Sequence, residues 1–392
     1  MISSPIQAAR SLTANVRAAA AETERGRRLA PTLAAKMTEA GLFRLCVPRD
    51  LGGLEASPRE AIEALEEIAK ADGAAGWCLM VALTSSLVAG YLDEPTAREI
   101  FGDPGSIVSG VFAPRGVARV APGGYRVTGR WPFASGCQHA TWLLGGAVIF
   151  EGAAPRMTDG NVPETRMMIF RASDVIIHDT WNVVGLAGTG SHDIEVADVF
   201  VPAARSVSFF TDPRTRTGAL YELPAFGFLA LGVAAVALGI AQSASDDFRR
   251  LASEKTPFGG KRPLAARPAI QTHLAEIESR IRSARAFLHA AIDRALQAHA
   301  SAGTVAPDLD LDLDLEHRVE LRLAACHATT SAARAVDMAY TAAGGSSIYA
   351  SSPLQRCFRD VHVATQHVMI GPAIQELCGK VLAGLDADTS ML

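Results

Sequence analysis

The chain has no Cys-x-x-Cys pair, no Gly-x-Ser-x-Gly elbow, no Gly-x-x-x-x-Gly-Lys loop and no His-Glu-x-x-His helix. Those absences remove paired-thiol redox chemistry, serine hydrolysis, P-loop phosphate transfer and zinc proteolysis. The six cysteines (Cys46, Cys78, Cys137, Cys326, Cys357 and Cys378) are scattered. They read as reduced, buried thiols of a cytoplasmic protein, not as a disulfide frame or a metal site. Charge is balanced too. Thirty-seven Lys and Arg stand against 41 Asp and Glu, with both signs spread along the chain. A nucleic-acid partner would need a basic patch, so none is expected. No basic start runs into an apolar segment, so no secretory signal is read. The longest apolar stretch, Phe226 to Ala241, is too short and too rich in Ala and Gly for a membrane span and reads as a buried helix.

What is present is a globular chain of 392 residues, 49% hydrophobic and 20% charged, long enough for two or three domains. Helical spacing runs from Ile6 to about Ala40, with Leu29, Leu33, Ala34 and Met37 on one face. Ser57-Pro58-Arg59-Glu60 carries the cap, the proline and the early acid of a new helix. A small-residue helix follows through Asp72, Gly76-Trp77 and Thr84-Ser85-Ser86. After Asp103-Pro104-Gly105 the period changes to two. Strand-like runs are 106–111, 119–120, 125–128, 142–150, 166–170, 175–178 and 192–200, which suggests a small barrel or sandwich. Helices return from about Leu223, and Pro353 to Leu385 is the last helical region. The Asp/Leu alternation at 308–314 lacks the glycine and the final acid of a calcium loop and reads as a surface connection. Gly188-Thr189-Gly190 is followed by a strand, not a helix, so no dinucleotide fingerprint is read there. The expected division is 1–104 helical, 105–215 β and 216–392 helical.

The chemistry centres on Arg130-Trp131-Pro132-Phe133-Ala134-Ser135-Gly136, after the turn Ala121-Pro122-Gly123-Gly124. Strand alternation puts Phe133 and Ser135 on one face. A flat aromatic beside a short hydroxyl suits a planar heteroaromatic cofactor; the alternative is a hairpin with one core Phe. The stretch resembles the flavin-contact strand of the acyl-CoA dehydrogenase superfamily. Its extension to Trp142 resembles the branch of two-component flavin monooxygenases, in their oxygenase component. The resemblance extends to Leu42-Phe43, Val47-Pro48 and Leu51-Gly52-Gly53, to Val199–Pro202, and to Arg359-Asp360.

The resemblance implies an α+β chain with an all-α N-terminal domain, a central β-barrel and a C-terminal four-helix bundle that builds a homotetramer. It places Phe133 against the flavin ring, Ser135 near N5 and Gly136 beside them. Lys255 and Phe258 fall where the superfamily has an Arg and a Phe that reach the cofactor across a subunit boundary. Gly344-Gly345 matches a turn close to the cofactor. In many acyl-CoA dehydrogenases a Glu base stands where this chain has Val368. One residue earlier is His367, where the monooxygenase branch has its His near flavin C4a. An imidazole of near-neutral pKa suits formation of a C4a-hydroperoxide from reduced flavin and dioxygen, because it delivers a proton and takes one back. The alternative for His367 is a structural histidine, which is also the reading of His362, His139 and His192. Ser85 lies where related hydroxylases carry a substrate-contacting His; the alternative is a solvated or self-capped helix face. Ser109 and Phe112 are placed to face the substrate pocket.

The implied activity is a monooxygenase. It takes reduced FMN or FAD from a separate flavin reductase, uses O2, and hydroxylates a small aromatic or heteroaromatic molecule. The alternative is an acyl-CoA dehydrogenase with tightly bound FAD and a relocated base.

Overall fold

The structure, a computed structural model, describes residues 4–158, 162–302 and 315–392, so the 308–314 alternation lies outside the described residues. The first helical region is two helices, α1 (Pro5–Gly26) and α2 (Pro31–Glu39), parted by a left-handed Arg27 and restarted by Pro31. Next comes α3 (Pro58–Ala71), opened at the expected Ser57 cap by a Ser57/Glu60 capping box. Asp72 ends α3 and caps α4 (Gly73–Ser85), accepting from the Ala75 N–H at 2.9 Å. Every residue of α4 is buried, and the short α5 (Glu94–Phe101) completes this part.

The middle of the chain forms one sheet. Its strands are β1 (Val108–Ala121), β2 (Gly124–Ala134), β3 (Trp142–Glu151), β4 (Ala154–Pro155), β5 (Thr165–Arg171), β6 (Ile176–His178), β7 (His192–Pro202) and β8 (Ser206–Val207). Their order is β6-β7-β2-β1-β3-β5-β8, with β4 on β3, and only β1 and β3 run parallel. The two expected runs 106–111 and 119–120 belong to the single strand β1, which bulges around Pro114. The expected barrel is not formed. The sheet ends in β6 and β8, strands of three and two residues that do not pair with each other, so it stays open.

Alternation gives the sheet two apolar faces. Trp142, Leu144, Met167 and Ile169 join the large helical core. Leu143, Ala147, Met168, Phe170 and Ile194 close over Trp131 on the other side. The Trp131 indole is fully buried and donates to the Gly146 carbonyl at 2.7 Å. Room for it comes from Gly116, Gly129 and Gly145, where an added Cβ would lie 2.5–2.7 Å from the ring.

The chain then returns to helix as α6 (Ala219–Glu222), α7 (Ala225–Glu254), α8 (Pro268–Ala302), α9 (Leu315–Ala343), α10 (Pro353–Ala364) and α11 (Pro372–Leu382). Helix α7 packs against α3, α4, α9 and α10, and α8 packs against α9. Two stretches, Gly73–Gly90 and Ala225–Glu254, are long and apolar enough to cross a membrane, but both are buried inside the protein as core helices. The last helical region is broken between Thr365 and Gly371, where a short 3-10 turn (Val368–Ile370) intervenes. All six cysteines are buried free thiols.

Crowding around the Trp131 ring predicts the outcome of two substitutions. Gly145→Ala should lower unfolding free energy by about 1–3 kcal/mol through overpacking. Trp131→Ala should lower it by about 3–5 kcal/mol through the cavity left behind. Urea denaturation reads both, and a Gly145→Ala protein as stable as wild type would refute the tight fit.

Candidate functional site

The end of β2, the buried helix α4 and the chain after α10 converge on one tryptophan. The Trp77 indole N–H donates to the Ser135 hydroxyl at 3.1 Å, and its ring meets the His367 ring edge-on with centroids 5.6 Å apart. Behind Ser135 stands a row of hydroxyls. Ser135 Oγ lies 2.6 Å from Ser191 Oγ, which lies 2.6 Å from Thr189 Oγ1. Thr189 then donates to the Leu186 carbonyl at 2.8 Å. Both Ser135 and Ser191 are buried.

Phe133 does not share a face with Ser135, contrary to strand alternation. Its φ is +67°, the pairing of β2 with β7 slips between Trp131 and Ala134, and the ring is 65% exposed while Ser135 is 3% exposed. A left-handed aromatic is costly and needs its surroundings to hold it. Phe133 meets the Trp181 ring edge-on at 6.0 Å. Trp181 is fixed in turn: its indole donates to the Leu186 carbonyl at 3.2 Å, its backbone N–H donates to His192 Nδ1 at 3.1 Å, and its carbonyl accepts from Arg27 at 3.0 Å.

The loop at 184–191 is clamped by α10. Asp360 accepts the Leu186 N–H at 2.6 Å, and Arg359 donates to the Val184 carbonyl. Gly185 is required there, because a Cβ would lie 2.4 Å from the Arg359 carbonyl oxygen. Asp360 shares its surroundings with Asp72. Burial, then the charge of Asp72, pushes the Asp360 carboxyl up to about 7. Burial also raises Asp72, against its bond from Ala75 and the attraction of Arg356.

His367 is not on a helix. It caps the 3-10 turn, with Nδ1 accepting the Met369 N–H at 3.3 Å. The ring proton therefore sits on Nε2. Burial, then the nearby Arg322 guanidinium, pushes the imidazole down to about 4. This corrects the near-neutral expectation: at pH 7 the ring is neutral and offers a fixed Nε2–H donor, not an imidazolium acid. Arg322 is itself fully buried, donating to the Phe226 carbonyl at 2.8 Å and touching Met369 sulfur, and burial pushes it down to about 10. Val368 is exposed, and among the described residues no carboxylate hydrogen-bonds to Ser135, Trp77 or His367.

The other expected residues fall into groups. Gly136, at φ +75°, packs against the His139 ring and donates its N–H to the Thr189 carbonyl at 2.9 Å. The Ser109 hydroxyl donates to the Ser135 carbonyl. Phe112 stacks on Phe209 at 5.6 Å and meets Phe226 at 6.1 Å, and Tyr91 and Phe210 extend this aromatic wall. Thr84 and Ser86 bond back to their own helix, as a self-capped face would, whereas Ser85 Oγ is buried with no partner. Lys255 reaches the Ala343 carbonyl at 2.9 Å, next to the Gly344-Gly345 turn, and Phe258 stands fully exposed on the same loop. No hydrogen bond or ring contact among the described residues joins this second group to Ser135. His362 pairs with Asp337 at 2.8 Å and His192 accepts from two backbone N–H groups, both structural. Sequence reasoning missed Trp77, Thr189 and Ser191, although the last two lie in the glycine turn it had marked.

These residues fit a planar ring cofactor. An exposed aromatic is held in strained backbone beside a neutral hydroxyl with an acceptor lone pair left over, and the orphaned Ser85 oxygen lacks a partner. Comparison with known proteins points the same way. The family described as acyl-CoA dehydrogenase, N-terminal domain, matches residues 6–96, and that described as acyl-CoA dehydrogenase, C-terminal domain, matches residues 231–372. The chain is 33% identical to an indole-3-acetate monooxygenase of Pseudomonas putida over 94% of this chain and 90% of that one. It is 30% identical to the flavin-dependent monooxygenase oxygenase subunit HsaA of Rhodococcus jostii, over 92% and 93%. The solved structure of XiaF from Streptomyces sp., in complex with FADH2 and glycerol, superposes with a TM-score of 0.85 at 26% identity, covering 97% of this chain and 95% of that one.

Two predictions follow from the buried charges. Asp360→Ala leaves the Leu186 N–H without an acceptor and should cost about 1–3 kcal/mol. Asp360→Asn keeps an acceptor and removes repulsion with Asp72, so at pH 8 it should be at least as stable as wild type by urea denaturation. For His367 the folded pKa lies below the unfolded value of 6.5, so the unfolded chain binds the proton first. The stability that neutral His367 supports is present above pH 6.5 and is lost as pH falls toward about 4. His367→Gln should flatten that loss by on the order of 1 kcal/mol at pH 5, and an unchanged slope would contradict the burial of the ring.

Proposed function

The chain belongs to the acyl-CoA dehydrogenase family, among its flavin-dependent monooxygenases, and we propose that it is the oxygenase component of a two-component system hydroxylating a small aromatic or heteroaromatic substrate. The observation that carries this is the meeting of Ser135, Trp77 and a neutral His367 with no carboxylate among them. An acyl-CoA dehydrogenase needs a carboxylate base at the reacting carbon, and Val368 occupies the position where many have it.

Reduced FMN or FAD, delivered by a separate reductase, supplies on binding the electrons that activate dioxygen for insertion of one oxygen atom. Phe133 covers the ring, with Trp181 behind it. Ser135 and Gly136 line its N5 edge. His367 presents the Nε2 proton beside Trp77 and keeps water from that side. Ser85, Ser109 and Phe112 line the substrate space. The aromatic wall of Phe112, Phe209 and Phe226 suits a flat substrate, since aromatic pairs favour stacked or edge-to-face contact.

Lys255, Phe258, Gly344 and Gly345 are read as cofactor contacts offered to a second copy of the chain, Lys255 to the phosphate. The exposure of Phe258 and the separation of this group from Ser135 support that. The C-terminal helices are accordingly read as a four-helix bundle that builds a homotetramer. Division into units 1–104, 105–215 and 216–392 agrees with the passage from α5 to β1 and from β8 to α6. A cytoplasmic location suits the six unpaired thiols.

The test is incubation with a flavin reductase, NADH, FMN or FAD, air and a panel of aromatic compounds, read by mass spectrometry. One product should carry a single oxygen atom from labelled O2. His367→Gln should lower product formation by about 10²–10³-fold while peroxide release rises. Failure of every aromatic in the panel, with reduced flavin oxidising no faster than in buffer, would refute the proposal.

A further inference from the structure

The hydroxyl row behind Ser135 has only one consistent direction. A carbonyl oxygen cannot donate, so Thr189 spends its proton on the Leu186 carbonyl. Thr189 Oγ1 can then only accept from Ser191, which spends its own proton there. Ser191 Oγ in turn can only accept from Ser135. At the near end the Trp77 indole, a donor only, fills one lone pair of Ser135. The chain therefore runs from Trp77 N–H through Ser135, Ser191 and Thr189 to a backbone carbonyl, with every hydroxyl proton committed. What Ser135 has left is one lone pair and no proton.

We propose that Ser191 and Thr189 are positioning residues that make Ser135 an obligate acceptor and so select the reduced state of the flavin. This rests on the placing of Ser135 beside N5. A reduced ring carries hydrogen on N5 and donates to the open lone pair. An oxidised ring presents a bare N5, so two lone pairs face each other. Selection comes from a hydrogen-bond direction set two side chains away, not from any charge. It gives the chain a means of accepting the ring as the reductase delivers it and of releasing it once oxidised.

The test measures dissociation constants for oxidised and for dithionite-reduced flavin under anaerobic conditions, by fluorescence and absorbance titration. Wild type should bind the reduced form more tightly. Ser191→Ala removes the acceptor for the Ser135 proton, which is then free to turn toward N5. The reduced-over-oxidised preference should fall about tenfold, chiefly because the oxidised form binds more tightly. In a bound flavin that is a shift of about 30 mV in the two-electron midpoint potential. Thr189→Val should move the ratio the same way, and Ser191→Thr, which keeps the hydroxyl, should restore it. Damage to the fold would weaken both forms together and leave no gain for the oxidised one, so the gain is the signature sought. If Ser135→Ala changes the ratio but Ser191→Ala and Thr189→Val do not, the directional proposal is overturned while the placing of Ser135 stands. If Ser135→Ala changes neither constant, Ser135 is not at N5, and both fall.

Discussion

The bond from the Leu186 N–H to Asp360 joins the two halves of the site. Leu186 sits in left-handed backbone at φ +50°, which an L-residue does not hold unaided. Its N–H is fixed by α10, and its carbonyl collects the Thr189 hydroxyl and the Trp181 indole. One residue thus ties the helix that precedes His367 to the row that orients Ser135 and to the partner of Phe133. Gly185 lets the loop approach α10 closely enough for this. Arg359 reinforces it from the Val184 carbonyl and reaches back to Glu24 on α1. Removing the clamp would not delete any group that touches the cofactor, yet all of those groups would lose their common reference.

Strain is concentrated where that clamp can hold it. Among the described residues five non-glycine positions have positive φ, and Arg27, Phe133 and Leu186 all belong to the shell around Trp181. Arg27 makes a two-pronged bond to Asp179 as well as bonding the Trp181 carbonyl. A left-handed aromatic at the end of β2 turns its ring outward while the next residues turn inward. Regular strand geometry could not present an exposed ring and a buried hydroxyl only two residues apart.

That departure also explains what the sequence could and could not tell. The Ser57 cap, the change of period after Gly105 and the buried Ala/Gly helix depend on local rules and were legible from local residues. Counting by twos put Phe133 and Ser135 on one face because a bulge leaves no mark in apolar periodicity. Closure of the sheet was equally invisible, since it depends on whether two edge strands are long enough to meet. The break before α11 did carry a signal, Gly371-Pro372, which outweighs the helical spacing around it. His367 was reached through family resemblance, and its neutral state follows only from burial in the assembled fold. Trp77 meets Ser135 across 58 positions of chain, a contact no spacing rule contains.

Charge is arranged around the site in layers. The groups that meet at its centre, Ser135, Ser191, Thr189, Trp77 and His367, are all neutral. The buried ionisable groups stand one layer out: Asp72 at the start of α4, where the helix dipole favours negative charge, Asp360 facing it from α10, and Arg322 behind Met369. A buried charge at the centre would draw water or a counter-ion to itself and leave the cofactor to compete for it. Dipoles fixed by neighbours need no such compensation, and they are already oriented when a ring arrives. Arg322 illustrates the division: its charge never reaches the centre as a contact, but it adds to burial in keeping the imidazole unprotonated. A site built in this way excludes solvent with its inner layer and sets protonation with its outer one.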